Sequence, residues 1–252
     1  MSRLIFWGRV HPERTYVSLS GFDAVIHGDD EYPIRARVRI DILVAQITVT
    51  VEGELLGLPT EMIKNSVEEL VHERLDAFGF ATGRGYEAEL VAAVDESGSV
   101  EVFGIEMSGL SESQRDCVTL EQVTQALRYE QPYLRLALAD LRRAIREPVD
   151  TGLYCFRAIE TVKQHFADNA DPPSDSGEAW RRLREALRVE RGFINDQVKV
   201  FADVRRHGAV RSVGNNERAA QLRAARAIVA RFVLYLNDGC TKLPPERYPV
   251  LA

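Results

Sequence analysis

Cysteine is scarce in this chain. Three residues of 252, Cys117, Cys155 and Cys240, are far apart, odd in number and without a nearby cluster of metal-ligating side chains. That excludes a disulfide framework and a zinc site as organising features, and no metal or cofactor is expected. Long apolar runs are also missing: no stretch approaches the roughly 18 to 20 residues that a membrane helix needs. Met1 to Val10 has neither the basic flank nor the apolar length of a signal peptide, so the expected compartment is the cytoplasm, with no membrane contact. Lysine is rare as well. Lys64, Lys163, Lys199 and Lys242 stand among 32 basic residues, the rest being Arg, a bias that base composition explains as readily as phosphate recognition does.

What is present is a large apolar content, 45%, enough for a real core, and a charge split. Residues 1–118 hold 10 Lys and Arg against 21 Asp and Glu, whereas residues 119–238 hold 20 against 16. The first part repels phosphate backbones. The second is mildly basic and permits RNA binding without arguing strongly for it.

The first part reads as β-rich. Leu4 to Val10 and Thr15 to Ser20 flank His11-Pro12-Glu13-Arg14, a turn-like segment, and predict a hairpin. From Ile34 to Glu54 the apolar residues Val38, Ile40 and Ile42 alternate with Arg35, Arg37, Arg39 and Asp41, a strand with one wet face. The alternation is too long for one strand, so a bend or turn is expected near Val44 to Gln46. Leu58-Pro59-Thr60 opens a helix carrying Ile63, Val67, Leu70, Val71 and Leu75 on one face, which is expected to stop before Gly79. Tyr86 to Val94 and Val100 to Ile105 form a further hairpin.

The second part shows no convincing strand. Thr119–Leu127, Pro132–Arg146, Asp150–Phe166, Ser176–Leu187, Glu190–His207 and Asn216–Asn237 all have helical periodicity, separated by Pro148, Asp171-Pro172-Pro173, Gly208 and Gly214. The spacing of Asp175 and Glu178 suits an N-terminal cap. The Pro-rich tail from Lys242 to Ala252 is expected to be extended across a neighbouring surface. The fold class is therefore α+β: a β-rich domain with one packed helix over residues 1–115, then an antiparallel helical bundle over 116–252.

Most reactive side chains have ordinary explanations. Gly79, Gly83 and Gly85 follow a helix instead of bridging a strand into one, the wrong context for a phosphate loop. His11, His27 and His72 stand singly, without metal-ligand spacing. Two groups merit attention. In the helix from Glu190, Phe193, Val200, Val204 and His207 share one face, so His207 either completes a helix end, where a cation suits the carbonyl dipole and Gly208 is the stop, or lines a cleft. In the helix from Asp150, Arg157 and Glu160 stand three apart and can pair; if the two helices pack together, they share a polar cleft with Arg205, Arg206 and His207.

The run Leu153-Tyr154-Cys155-Phe156-Arg157-Ala158-Ile159-Glu160, a later helix closing in His207-Gly208, and the final long helix through Ala227 to Leu236 together resemble the HEPN superfamily. The resemblance covers about half the chain. It implies a dimer formed through the helical domain, and in active members a metal-independent ribonuclease site of an Arg, four to six residues, then a His. Aligned on His207-Gly208, the Arg position falls on Val200, Phe201 or Ala202, and Asp203 matches the polar residue that commonly follows it. Cleavage by 2′-hydroxyl attack needs a proton carrier and a cation for the developing phosphate charge. His207 suits the first task; Arg205 or Arg206 would have to supply the second from an altered geometry. The expectation is a non-catalytic, dimeric RNA- or protein-binding module whose β-rich domain senses or recruits. The alternative is an endoribonuclease using His207, Arg206, Arg205 and Glu160, with Arg157 and Asp203 in binding roles.

Overall fold

A computed structural model describes residues 2–12, 16–27, 35–55, 58–103, 118–128, 132–170, 173, 175–207 and 214–252. The chain divides into two compact units, Met1–Gly104 and Ile105–Ala252. The boundary expected at 115 falls outside the described residues. The fold is α+β, a six-stranded antiparallel sheet followed by a helical half.

In the first unit the strands are β1 (Ser2–His11), β2 (Leu19–His27), β3 (Arg35–Leu43), β4 (Gln46–Gly53), β5 (Glu87–Asp95) and β6 (Val100–Val102), with α1 (Thr60–Thr82) between β4 and β5. The order across the sheet is β2-β3-β4-β1-β5-β6. The alternation read in β3 and β4 is realised: Val38, Ile40, Ile42, Ile47, Val49 and Val51 are buried, and Arg35, Arg37 and Arg39 face water. Val44 and Ala45 make the turn between them, both at positive φ, a conformation that non-glycine residues adopt reluctantly. Three bonds hold it there: Ala45 N–H to Val17 O, Val10 N–H to Ala45 O, and Val44 N–H to Ser18 Oγ.

Two expectations are corrected here. β1 and β2 do not pair as a hairpin; β1 lies between β4 and β5, and β2 lies against β3 at the sheet edge. Gly8 helps explain the central place of β1, because a Cβ there would stand 2.4 Å from Glu89 O on β5, where the register shifts. The helix does not stop before Gly79. Gly79 sits inside α1 because a side chain would strike Arg84 O, and the helix ends at Gly83, whose left-handed conformation closes it. The inner face of α1, Ile63, Val67, Val71 and Leu75, joins the core of the sheet.

The second unit contains α2 (Leu120–Arg128), α3 (Pro132–Arg146), α4 (Thr151–Asp168), α5 (Ser176–Leu187), α6 (Arg191–Ile194), α7 (Val200–Arg206) and α8 (Asn215–Asn237). α4 is central, packing against α3, α5, α7 and α8, with Cys155, Phe156, Ala158, Ile159 and Val162 inside. Asp175 caps α5, accepting the Glu178 N–H at 2.9 Å. The tail returns to the bundle: Leu251 bridges Val189 in parallel, and the Leu243 N–H bonds Ala186 O.

Candidate functional site

The helix expected over Glu190–His207 is interrupted. Residues Asn195–Lys199 form a π turn between α6 and α7, marked by the Val200 N–H bonding Asn195 O five residues back. The row that faces inward is not the expected one. The buried line becomes Ile194, Val198 and Ala202, while Val200 is 50% exposed and His207 is exposed at the helix end. The expected stripe through Val200, Val204 and His207 is thus replaced, and His207 does not continue a buried face. Its N–H bonds Asp203 O at 3.2 Å, a helix-ending bond.

Asp203 stands between two cations of its own helix, Lys199 Nζ at 3.1 Å and Arg206 Nη1 at 3.8 Å. The Arg206 guanidinium also lies 5.9 Å from the centroid of the Phe156 ring on α4, which in turn stacks on Trp180 of α5. That is within the reach of a cation–π contact. The two helices thus bring Arg206 onto the α4 face bearing Phe156, and Glu160 lies one turn further along that face. Glu160 is half-buried. The Arg205 side chain and Gly208 lie outside the described residues.

Arg157 is turned elsewhere. Its Nε donates to Asp140 Oδ2 at 2.9 Å and its Nη2 to Asp140 Oδ1, a two-pronged clamp between α4 and α3, with Arg143 adding a longer contact at 3.4 Å. Forked guanidinium–carboxylate bonds of this kind are among the strongest side-chain pairings. The Asp140 hydrogen bonds raise the Arg157 pKa above its ordinary value, and the guanidinium lies over the Tyr154 ring. The pair anticipated between Arg157 and Glu160 does not form. Arg157 therefore serves helix packing, away from Arg206 and His207.

Asp140 was passed over in the sequence, yet its position carried a signal. Leu134, Ala137, Leu141 and Ala144 mark the buried stripe of α3, and Asp140 falls on it. A buried carboxylate on an apolar stripe demands a cation. Arg218, near the start of α8, is a second missed residue. It is buried, and its guanidinium donates to Thr151 Oγ1 at 2.8 Å and to the carbonyls of Ala144 and Ile145. These bonds close the end of α3, where backbone carbonyls lack intrahelical partners. One turn on, Gln221 is fully buried, with no hydrogen-bond partner for either amide atom among the described residues. It lies beside Gly152, whose hypothetical Cβ would meet both Gln221 Oε1 and Phe201 Cβ at 3.0 Å. Phe201 therefore packs closely against α4 at Gly152.

A third missed residue is His165 on α4. Burial pushes its pKa down to about 4, so the ring is neutral near pH 7. Its Nδ1 lies 3.2 Å from the Asn169 amide nitrogen. Tyr133, Phe166, Phe232 and Tyr235 surround it. Among the described residues no group of three or more His, Cys, Asp or Glu side chains could hold a metal ion, and no helix is long and apolar enough to cross a membrane.

Comparison with known families divides the chain in two. Residues 4–103 match the family model described as the N-terminal domain of a domain of unknown function, DUF8168, and residues 120–237 match the model of its C-terminal domain. No curated protein and no solved structure matches the chain.

Proposed function

We propose that the helical unit is a HEPN-like module that dimerises and binds RNA or a protein partner in the cytoplasm without cutting RNA, while the β-rich unit senses or recruits. The observation that carries the non-catalytic reading is the filling of the ground before His207. Ala202 is fully buried, Phe201 packs against Gly152, and Val200 presents only an apolar side chain to solvent. None can hold a developing phosphate charge. Arg157, a second candidate cation, is occupied by Asp140. What remains open to solvent is a small polar end, Lys199, Asp203, Arg206 and His207, suited to contacting a ligand without transforming it.

The ribonuclease alternative is favoured by one observation, the adjacency of exposed Arg206 to exposed His207 at a helix end. Sedimentation velocity at micromolar protein and a gel shift with single-stranded RNA test the binding reading. A dimer whose RNA or partner affinity falls about tenfold in Arg206→Glu, the loss of one charge-assisted contact, is the expected result. A monomer at these concentrations contradicts it.

A further inference from the structure

Within the helical unit a recess of about 360 Å³ opens between the end of α4, the outer face of α5 and the turn after α8. That volume lies at the lower end of the range, about 300 to 1,000 Å³, over which small-molecule sites occur. Its inner wall is aromatic and neutral. Phe166 is buried, Tyr235 is half-buried with its ring centroid 5.2 Å away, and the uncharged His165 stands edge-on to both. Its outer wall is cationic: Arg181, Arg182 and Lys242 line the mouth against one lining carboxylate among the described residues, Glu185.

The mouth is already arranged around carboxylates. Arg181 donates to Glu178 at 2.8 and 2.6 Å and also to Glu185; Arg182 donates to Glu178 at 2.9 Å, and Lys242 to Glu185 at 3.2 Å. These bonds, from Arg181 first, hold the Glu178 carboxyl down to about 2. With Glu178 counted, three cations stand against two carboxylates at the mouth, so it keeps a net positive charge that attracts an anion. The existing pairs are exposed ion pairs of a kind that contributes little to stability, so an incoming carboxylate can exchange into them at little cost. Inside the charged rim the rings of Phe166 and Tyr235 line the recess beside His165 and Asn169, and they suit a planar ring with a polar edge.

We propose that this recess binds a small aromatic carboxylic acid, its carboxylate held by Arg182 and Lys242 and its ring laid against Tyr235 and Phe166. Neither a neutral ring nor a short aliphatic acid satisfies both walls. The site is separate from the Arg206–His207 end, and its occupancy does not depend on whether the protein binds RNA.

Cys240 supplies a built-in reporter. It is an exposed free thiol lining the recess, whereas Cys155 is buried with its thiol pushed up to about 12 by burial. The full-length protein is titrated calorimetrically with benzoate and indole-3-acetate, and with benzyl alcohol and acetate as single-feature controls. Iodoacetamide labelling of the Cys240 peptide is followed by mass spectrometry in parallel. The expected result is one-to-one binding of at least one aromatic acid below 1 mM, at least tenfold weaker binding of both controls, and at least threefold slower Cys240 labelling at saturation. Lys242→Glu, at a highly exposed position that leaves the core untouched, is expected to weaken binding at least fivefold. Tyr235→Leu is expected to do the same. Absence of binding and of Cys240 protection by both aromatic acids at 5 mM overturns the proposal. So does binding that is unchanged in Lys242→Glu, because the ligand then sits elsewhere.

Discussion

Among the described residues, the two units bond their backbones with buried ions of opposite sign. In the β-rich unit the buried ion among the described residues is an acid: Glu68 of α1 accepts the Leu90 N–H of β5 at 3.2 Å and a bond from Lys64 Nζ at 2.7 Å, joining helix to strand. In the helical unit the buried ions on carbonyl groups are guanidiniums. Arg218 closes α3, and Arg231 bonds Leu187 O, Arg188 O and Pro249 O, closing α5 and holding the tail. A sheet leaves its backbone paired strand to strand, so a carboxylate can serve a single spare N–H. A bundle leaves four carbonyls open at the C-terminal end of each helix, and arginine reaches them. Arg218 and Arg231 are therefore used inside the protein, and neither counts as a sign of RNA binding.

The contrast is disturbed most severely by removing one of those guanidiniums. Arg218→Met should leave the Ala144 and Ile145 carbonyls and the Thr151 hydroxyl without their donor and cost the helical unit about 3 kcal/mol. Hydrogen exchange resolved by peptide should show faster opening of α3, α4 and α8 with β1–β5 unchanged. Equal acceleration in both units would mean that they do not unfold separately.

Acid separates the units further, because they carry histidines shifted in opposite directions. His165 has a folded value of about 4, below its ordinary 6.5, so the unfolded chain binds the proton more readily. Its contribution is intact above about pH 6.5 and is lost as pH falls toward 4, by at most about 3 kcal/mol. His72 is raised, chiefly by its hydrogen bond to Glu87 at 2.8 Å. Its contribution is present below about pH 6.5 and is lost as pH rises through the folded value; being partly exposed, it is worth under about 1 kcal/mol. Denaturant melts of His165→Phe and His72→Gln between pH 4.5 and 8 should therefore remove pH dependences of opposite slope. Slopes of the same sign would contradict the assignment.

Gly8→Ala probes the β-rich unit alone. The added methyl group would stand 2.4 Å from Glu89 O and must push β1 from β5. Overpacking of this kind costs about 2 kcal/mol. The β-rich unit should melt earlier in a thermal scan while the helical unit holds.

How much of this was legible in the sequence follows from which interactions are local. The β3–β4 alternation and the helix boundaries at Pro132, Asp175 and Gly214 depend on neighbours a few positions away, and the pattern shows them. The place of β1 depends on β4 and β5, both far along the chain, and alternation names no partner; adjacency suggested β2 instead. Gly79 resembled a helix stop because its reason, the close passage of Arg84, is tertiary. The π turn at Asn195–Lys199 leaves no mark in a periodicity that assumes the ordinary α-helical repeat, and periodicity alone did not decide which of two neighbouring apolar rows would be buried. Asp140 was different: it stood on an apolar stripe in plain view. That it needs a cation was readable there; that the cation is Arg157 of α4 depends on how the helices pack.

Binding without cleavage is tested most directly by incubating purified protein with total RNA in excess EDTA and following RNA length on a denaturing gel. Intact RNA is expected with the wild type, Arg206→Ala and His207→Ala alike. Cleavage that persists in EDTA with the wild type and disappears in His207→Ala would contradict the non-catalytic reading, and would make the exposed end of α7 an active site.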